Sequence, residues 1–95
     1  MTGKERAFLR SQAHSLEPIV HIGKDTLTPE VINAIDEALA ARELVKIGVL
    51  KNCFDDPREI AEMAAERSNS QVVQVMGRKI TLYRRKKKDS KFNIL

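Results

Sequence analysis

Apolar residues recur at helical spacing most clearly between Pro29 and Arg42, where they fall on one face of a helix. Thr28 is a favourable N-cap and Pro29 suits the first helical position, so the stretch predicts a helix over 29–42. The acidic residues of the stretch fall on its other face or at its end. The predicted apolar face consists of Val31, Ile32, Ile35, Ala38 and Leu39.

Two further helices are predicted, one on either side of this one. The first spans Lys4 to Ser15, and Pro18 ends it because the residue before a proline is pushed out of the helical region. The other begins at the capping-box sequence Asp56-Pro57-Arg58-Glu59 and runs to about Ser68. The apolar stripe of the first helix is Leu9, Ala13 and Leu16, with Phe8 beside it.

Four short apolar stretches predict strands. Ile19 to Ile22 is apolar enough to be interior, and Leu44 to Lys51 alternates apolar and polar residues. Val72 to Met76 and Ile80 to Arg84 are joined by Gly77-Arg78, which is a hairpin signal. In the second strand Val45, Ile47 and Val49 are expected on one side and Lys46 on the other.

The order of these elements predicts the fold class. The order αβαβαββ describes an α/β fold of the two-layer α+β type, in which helices pack on a four-stranded mixed sheet. The first two strands, each followed by a helix, should share this sheet through right-handed crossovers. The 95 residues make one domain, which we place at 1–85 and which is followed by a tail at 86–95.

The net charge of +4 is distributed unevenly along the chain. Residues 1–75 hold 9 Lys/Arg against 12 Asp/Glu, a net charge of −3. Residues 76–95 hold 8 Lys/Arg and only Asp89, a net charge of +7. Such a run of like charges cannot pack against itself, so it predicts a solvated, mobile tail. Its local field makes nucleic acid the first partner to consider and an anionic membrane the second.

Residues with catalytic or metal-binding chemistry are few. Cys53 is the only cysteine, so an internal disulfide is excluded and no cysteine pair can bind a metal. His14 and His21 are far from it in sequence, and the chain has no P-loop, HExxH sequence or glycine-framed carboxylate pair. We therefore predict no catalytic residue, no metal and no cofactor.

The apolar stretches are too short to cross a bilayer, and the N-terminus lacks the apolar core of a signal peptide. A cytoplasmic protein with no membrane partner is therefore expected. Aromatic residues are scarce, with three Phe, one Tyr and no Trp. This scarcity argues against an RRM and favours recognition of structured RNA by its shape and backbone.

The segment Gly23-Lys24-Asp25-Thr26 connects a predicted strand to the predicted helix at Pro29. A helix N-terminus attracts anions, and a glycine lets an anion approach the backbone closely. The segment can also be explained without a ligand, as a turn that connects the strand to the helix capped by Thr28. On the residues alone, this explanation is favoured.

Three separated stretches resemble a known family. The runs RAFLRSQAHSLEPIVHIGKDTLTPEVI, ELVKI and QVVQVMGRKITLYRR occur in the order found in the CRM (chloroplast RNA splicing and ribosome maturation) domain. The chain is most similar to its stand-alone, YhbY-like members. The resemblance covers about residues 4 to 85 and is most specific at Leu9 to Pro18 and at residues 74 to 84.

The resemblance implies a fold similar to the C-terminal domain of translation initiation factor three. It also implies RNA binding and association with precursors of the large ribosomal subunit. The RNA contact of the family is thought to centre on a Gly-x-x-Gly loop between the first strand and the next helix. That loop corresponds to Gly23, Lys24, Asp25 and Thr26 in this chain.

Thr26 replaces the second glycine of this loop. Because a β-branched residue with positive φ is an outlier, either the loop adopts another turn type or the position needs no left-handed residue. The Thr26 hydroxyl could donate to a phosphate. Asp25 is the weakest expected contact, and its carboxylate could instead hold the turn through an Asx-type bond.

Lysines and arginines elsewhere could extend the RNA-binding surface. Those in the tail should raise affinity through counterion release without giving sequence preference. The full set of candidates beyond the loop is Arg6, Arg10, Lys46, Lys51, Arg78, Lys79, Arg84, Arg85, Lys86, Lys87 and Lys88.

We therefore predict a non-catalytic RNA-binding protein that assists assembly of the large ribosomal subunit. One alternative is a general DNA-binding or chromatin-type protein, since small αβ proteins with basic hairpins also bind duplex DNA. Another is a protein-interaction adaptor that acts through its acidic helices. The acidic residues of that second alternative are Asp36, Glu37, Glu59, Glu62 and Glu66.

Overall fold

The computed structural model describes residues 1–86 together with Ser90 and Phe92. The predicted order αβαβαββ is confirmed in this part of the chain. The elements are α1 (Gly3–Ala13), β1 (Val20–Ile22), α2 (Pro29–Arg42), β2 (Leu44–Val49), α3 (Pro57–Arg67), β3 (Gln71–Met76) and β4 (Lys79–Tyr83).

The strands form the predicted four-stranded mixed sheet, in the order β1-β2-β4-β3. β1 pairs with β2 in parallel, with His21 opposite Gly48. β4 pairs antiparallel with β2 on one side and with β3 on the other. The predicted hairpin between β3 and β4 is confirmed, and Gly77 in its turn has a φ of 58°, which favours glycine. The last strand in sequence is therefore central in the sheet.

The helix starts agree with the sequence at α2 and α3, and α1 begins at Gly3, one residue earlier than predicted. The predicted cap of α2 is confirmed, since Thr28 Oγ1 accepts a hydrogen bond from the Val31 amide at 3.2 Å. At α3, only half of the predicted capping box is formed among the described contacts, because Asp56 accepts from the Arg58 amide. A complete box lies instead at α1, where Thr2 and Glu5 bond reciprocally. The hydrogen bonds from Thr2 lower the pKa of Glu5.

Helix α1 ends at Ala13, two residues earlier than predicted. Leu16 follows the helix, in a turn closed by its amide and the Ala13 carbonyl, and is exposed. The expectation that Leu16 belongs to the buried stripe is wrong, because the helical spacing does not extend to it. Leu9 and Ala13 are buried as predicted.

The main core lies between the sheet and the two helices α2 and α3. Alternate residues of the strands point to this face, as predicted for Val45, Ile47 and Val49 of β2. The largest fully buried members of this core are Ile22, Ile35, Leu39, Ile47, Ile60, Ile80 and Leu82.

A smaller core lies on the other face of the sheet, under α1. Leu9 and Ala13 pack there against Leu44, Val73 and Tyr83. Because neighbouring residues of a strand point to opposite faces, α1 covers the face that α2 and α3 leave open. Helix α1 covers only the part of that face near Leu44. The order of the elements along the chain does not predict that α1 lies on one face of the sheet while α2 and α3 lie on the other.

Phe92, which follows β4 in the chain, packs against the smaller core. The ring of Phe92 meets the rings of Phe8 and Tyr83 edge to face, at centroid distances of 6.5 and 6.2 Å. Burial raises the pKa of the Tyr83 phenol, and the Glu43 carboxylate raises it further. Ser90 donates to Glu43 at 2.8 Å. Lys87, Lys88 and most of the tail lie outside the described residues, so the domain boundary at 85 and the mobile tail stay predictions.

Arg6 holds α1 against the edge strand β3. Its guanidinium donates to the carbonyls of Val72 and Val73, at the point where the register of β3 against β4 shifts. A register shift leaves backbone groups outside the ladder, and the guanidinium supplies their donor. Arg6 therefore has a structural role in addition to the RNA contact that the sequence suggests for it.

Replacement of Arg6 by alanine should lower the free energy of unfolding by about 1–3 kcal/mol, because part-buried carbonyls lose a charged donor. Urea denaturation followed by circular dichroism measures the change. Arg10→Ala is the matched control, since Arg10 is exposed on the same helix and its loss should change stability by less than about 0.5 kcal/mol. Equal losses in the two variants would contradict the structural role of Arg6.

Candidate nucleic-acid interface

The loop of residues 23–26, called the Gly23 loop below, begins where β1 ends. A hydrogen bond of 3.1 Å from the Thr26 amide to the Gly23 carbonyl closes it, and Lys24 and Asp25 are exposed at its tip. Thr26 has a φ of 54°. Both alternatives considered for this position are therefore wrong, because Thr26 itself takes the left-handed conformation that a glycine would favour.

Contacts with the connection between β2 and α3 (residues 50–56, the β2–α3 connection) accompany this conformation. Thr26 Oγ1 donates to Asp55 Oδ2 at 2.5 Å and lies 3.9 Å from the sulfur of Cys53. A left-handed β-branched residue is unfavourable by itself, so the surrounding structure has to hold it. The Asx-type bond expected of Asp25 is not formed among the described contacts.

The backbone conformation of Gly23 does not require a glycine, because its φ does not lie in the left-handed region. A Cβ atom built on it would lie 3.7 Å from Asn52 Oδ1, an ordinary van der Waals distance. The fold therefore tolerates a small side chain here.

Two other segments lie at the same end of the sheet as the Gly23 loop. The Leu50 amide donates to the Ile22 carbonyl at 2.9 Å, and the Val49 amide donates to the Arg78 carbonyl at 2.7 Å. The Arg78 guanidinium donates in turn to the carbonyls of Leu50 and Cys53, at 3.0 and 3.3 Å. We call this end of the sheet the loop end. Its exposed charged residues are the cations Lys24, Lys51 and Arg78 and the carboxylates Asp25, Asp55 and Asp56.

The uncovered part of the sheet face, beside α1, forms a groove of about 540 Å³. Lys46 of β2 and Lys79 of β4 line it from the sheet, and Arg10 and His14 line it from α1. Lys46, Thr81 and Gln74 lie in one row across β2, β4 and β3. The complete lining of this sheet groove is Arg10, Ser11, His14, Lys46, Gln74, Met76, Lys79 and Thr81.

The sheet groove brings together three cations, Arg10, Lys46 and Lys79. The sequence identified each of them as a candidate contact but did not show that they lie on one surface. Gln74 and Thr81 were missed, although each points away from the apolar side of its strand and alternation gives that direction. His14, which the sequence analysis did not assign to the interface, is exposed and lines the groove.

The basic residues after β4 lie at the opposite end of the sheet. β4 starts beside the Gly23 loop and ends at Tyr83, and its five residues span roughly 17 Å. Arg84 is engaged there, since its guanidinium bonds Asp36 Oδ1 at 2.6 Å and the Ser68 carbonyl at 2.8 Å. Arg85 is exposed. The loop and the start of the tail therefore do not form one cluster.

Acidic side chains occupy the other side of the molecule. Helices α2 and α3 pack on the face of the sheet that is opposite to the groove, and their outer surfaces are rich in carboxylates. The exposed acidic residues on these helices are Glu30, Asp36, Glu37, Glu59, Glu62 and Glu66. The open sheet face is thus cationic and the helical layer is rich in carboxylates, whereas the loop end carries exposed charges of both signs.

The described part of the chain carries neither a cluster of metal-binding side chains nor a helix suited to a bilayer. No group of three His, Cys, Asp or Glu side chains is placed to hold a metal ion among those residues. None of the helices described there has the length and apolar character needed to cross a membrane. Cys53 is buried.

Comparisons with known proteins agree on one family. Residues 1–84 match the sequence model of the CRS1/YhbY (CRM) domain. The chain is 44% identical over 94 residues to the probable RNA-binding protein YqeI of Bacillus subtilis, covering 99% of this chain and 98% of that protein. It is 42% identical over 86 residues to the probable RNA-binding protein MJ0652 of Methanocaldococcus jannaschii, covering 88% of this chain and 63% of that protein.

A solved structure has the same fold. The solution structure of the hypothetical protein SAV1595 from Staphylococcus aureus superimposes with a TM-score of 0.79 and is 45% identical in sequence. The match covers 98% of this chain and 93% of that one.

Alanine at Gly23 should leave the free energy of unfolding unchanged or raise it by up to about 1 kcal/mol, because its backbone is not strained and alanine restricts the unfolded chain. Alanine at Gly77 should lower the free energy of unfolding by about 1–2 kcal/mol, because its φ is positive. Urea denaturation of the two variants measures both values. A large loss at Gly23 would show that the fold itself requires this glycine.

Proposed function

The chain belongs to the CRS1/YhbY (CRM) domain family, and on that premise we propose that it binds RNA and performs no catalysis. Its ligand is precursor ribosomal RNA, and its role is to assist assembly of the large ribosomal subunit in the cytoplasm. RNA binding is supported by relatives that are named as probable RNA-binding proteins. The ribosomal ligand rests on the family resemblance of the sequence.

One observation carries the RNA-binding proposal most directly. The Gly23 loop, which resembles the Gly-x-x-Gly loop of the family, keeps a left-handed residue at its last position and lies beside Lys51 and Arg78. From there the sheet groove continues the positive surface through Lys79 and Lys46. A phosphate backbone that docks on the loop can therefore extend along the open face of the sheet.

The distribution of charge supports the same orientation. An RNA that approaches the acidic helical layer is repelled, whereas one that approaches the sheet groove meets the positive field of Arg10, Lys46 and Lys79. Arg84 contributes less than its charge suggests, because Asp36 already neutralises it. The lysines after it act from the far end of the sheet and should add affinity without fixing the position of the RNA.

Replacement of Lys24 by glutamate should weaken binding to precursor large-subunit RNA by about tenfold and reduce the salt slope by about one, because one phosphate contact is lost. Filter binding between about 50 and 200 mM salt measures both quantities, and a wild-type slope of about −3 to −4 is expected if four to six phosphates are neutralised. The comparison variant carries Gln at residues 86, 87 and 88. It should flatten the slope while it keeps Phe92 packed.

Wild-type affinity in Lys24→Glu would contradict a docking role for the loop. Equal competition by duplex DNA at the same salt concentration would instead favour the general nucleic-acid alternative. Association with a protein that survives nuclease treatment would favour the adaptor alternative, with the acidic helices as the working surface.

Replacement of Asp55 should separate charge from loop geometry. Asp55→Asn and Asp55→Ala remove the same negative charge, but only asparagine keeps a side-chain oxygen that can accept from Thr26. Asp55→Asn should bind RNA as tightly as wild type or tighter, and Asp55→Ala should bind about threefold to tenfold more weakly than Asp55→Asn, because fewer molecules hold the loop in its binding conformation. Equal affinities of the two variants would show that the Thr26–Asp55 bond does not support binding.

A further inference from the structure

The β2–α3 connection exposes a large aromatic ring at the loop end. Phe54 is 92% exposed, more than any other large apolar side chain in the described part of the chain. The other described aromatic rings pack against one another, with Phe8, Tyr83 and Phe92 in edge contact. Phenylalanine is among the side chains that gain most from burial, so one that is held in water calls for a partner.

The residues on both sides of Phe54 are fixed. The Cys53 amide donates to the Leu50 carbonyl at 3.0 Å, its carbonyl accepts from Arg78, and its side chain is fully buried. On the other side, Asp55 accepts the hydrogen bond from Thr26. The ring therefore projects from a restrained backbone. Binding of a partner to the ring should cost little conformational entropy of that backbone.

Thr26 links this ring to the Gly23 loop. It contacts both neighbours of Phe54, with Asp55 at 2.5 Å and the Cys53 sulfur at 3.9 Å. The left-handed Thr26 and the exposed ring therefore belong to one unit at the loop end. A ligand phosphate at Lys24 would have its attached nucleoside within reach of the ring.

The charge around the ring selects the class of partner. Lys24, Lys51 and Arg78 lie at the same end of the sheet, together with the exposed carboxylates of Asp25, Asp55 and Asp56. Asp55 is engaged by the Thr26 hydroxyl. An apolar protein surface would have to cover these charged groups without pairing them, whereas a nucleic acid offers phosphates for the three cations and a flat aromatic base for the ring. A base can stack on a side chain only when it is unpaired or splayed out of a helix.

We propose that Phe54 is a base-stacking platform, which receives an unpaired base of the RNA whose backbone docks on the Gly23 loop. This inference rests on the proposed function and narrows its ligand. The preferred site is a bulge or single-stranded junction in otherwise structured RNA. The charges hold the backbone, and Phe54 adds a preference for an unpaired nucleotide at one position.

The chain has no tryptophan and one tyrosine, so Phe54→Trp supplies a single tryptophan whose fluorescence can be excited selectively. The probes are a short RNA hairpin with one unpaired purine in its stem and the same hairpin with a fully paired stem. The bulged hairpin should quench the fluorescence of Phe54→Trp on binding, and the paired hairpin should not. Phe54→Trp should keep wild-type affinity for both, because tryptophan also presents an aromatic face.

Removal of the aromatic face should weaken binding of the bulged hairpin alone. Phe54→Ala and Phe54→Leu should each bind it about tenfold more weakly, with an unchanged salt slope, because stacking releases no counterion. Phe54→Leu is the matched control for apolar contact, since leucine is apolar and of comparable size. Because the ring is exposed, both variants should unfold at the same urea concentration as wild type.

Three outcomes would overturn the proposal. Wild-type affinity in Phe54→Leu with weak binding in Phe54→Ala would indicate an apolar contact rather than stacking. Equal losses on both hairpins would show that no unpaired base is involved. Unchanged affinity in both variants, with Lys24→Glu still weakened, would leave the proposed function standing and exclude Phe54 from the RNA contact. If Lys24→Glu is also unchanged, the docking role of the Gly23 loop fails as well, and only an absence of RNA binding by the wild-type chain would overturn the proposed function.

Discussion

The antiparallel pairing of β4 with β2 determines where each functional segment of this protein lies. Because the two strands run in opposite directions, β4 starts where β1 and β2 end. The hairpin, the Gly23 loop and the β2–α3 connection therefore meet at one end of the sheet. The same pairing sends the chain after Tyr83 to the other end, so a basic sequence that looks continuous from residue 78 onward is divided in space.

The loop end combines an unfavourable backbone conformation with contacts that compensate for it. Thr26 adopts a left-handed φ, and the acceptor for its hydroxyl is Asp55, 29 residues later in the chain. Arg78 ties the same connection to the hairpin. The geometry of the Gly23 loop is thus set by contacts among three segments rather than by the loop sequence alone.

The sequence predicts the elements of this fold well because their signals are local. Hydrophobic spacing and the Thr28 cap locate α2 to the residue, and the Gly77 turn locates the hairpin. Contacts between segments that are distant in the chain cannot be predicted from such local signals. The role of Arg6 depends on a register shift in β3, and the grouping of Arg10, Lys46 and Lys79 depends on strand order and on the face that α1 covers. Local preference also misleads at Thr26, where tertiary contacts override the low propensity of threonine for positive φ.

The two edges of the sheet have a consequence for behaviour at high protein concentration. β1 is only three residues long, and the opposite edge strand β3 has a register shift whose carbonyls are bonded to Arg6. Short or interrupted edges are poor templates for the addition of another strand. Several molecules bound side by side along one RNA should therefore not pair through their sheet edges. The protein can accumulate on its ligand without aggregation by strand addition.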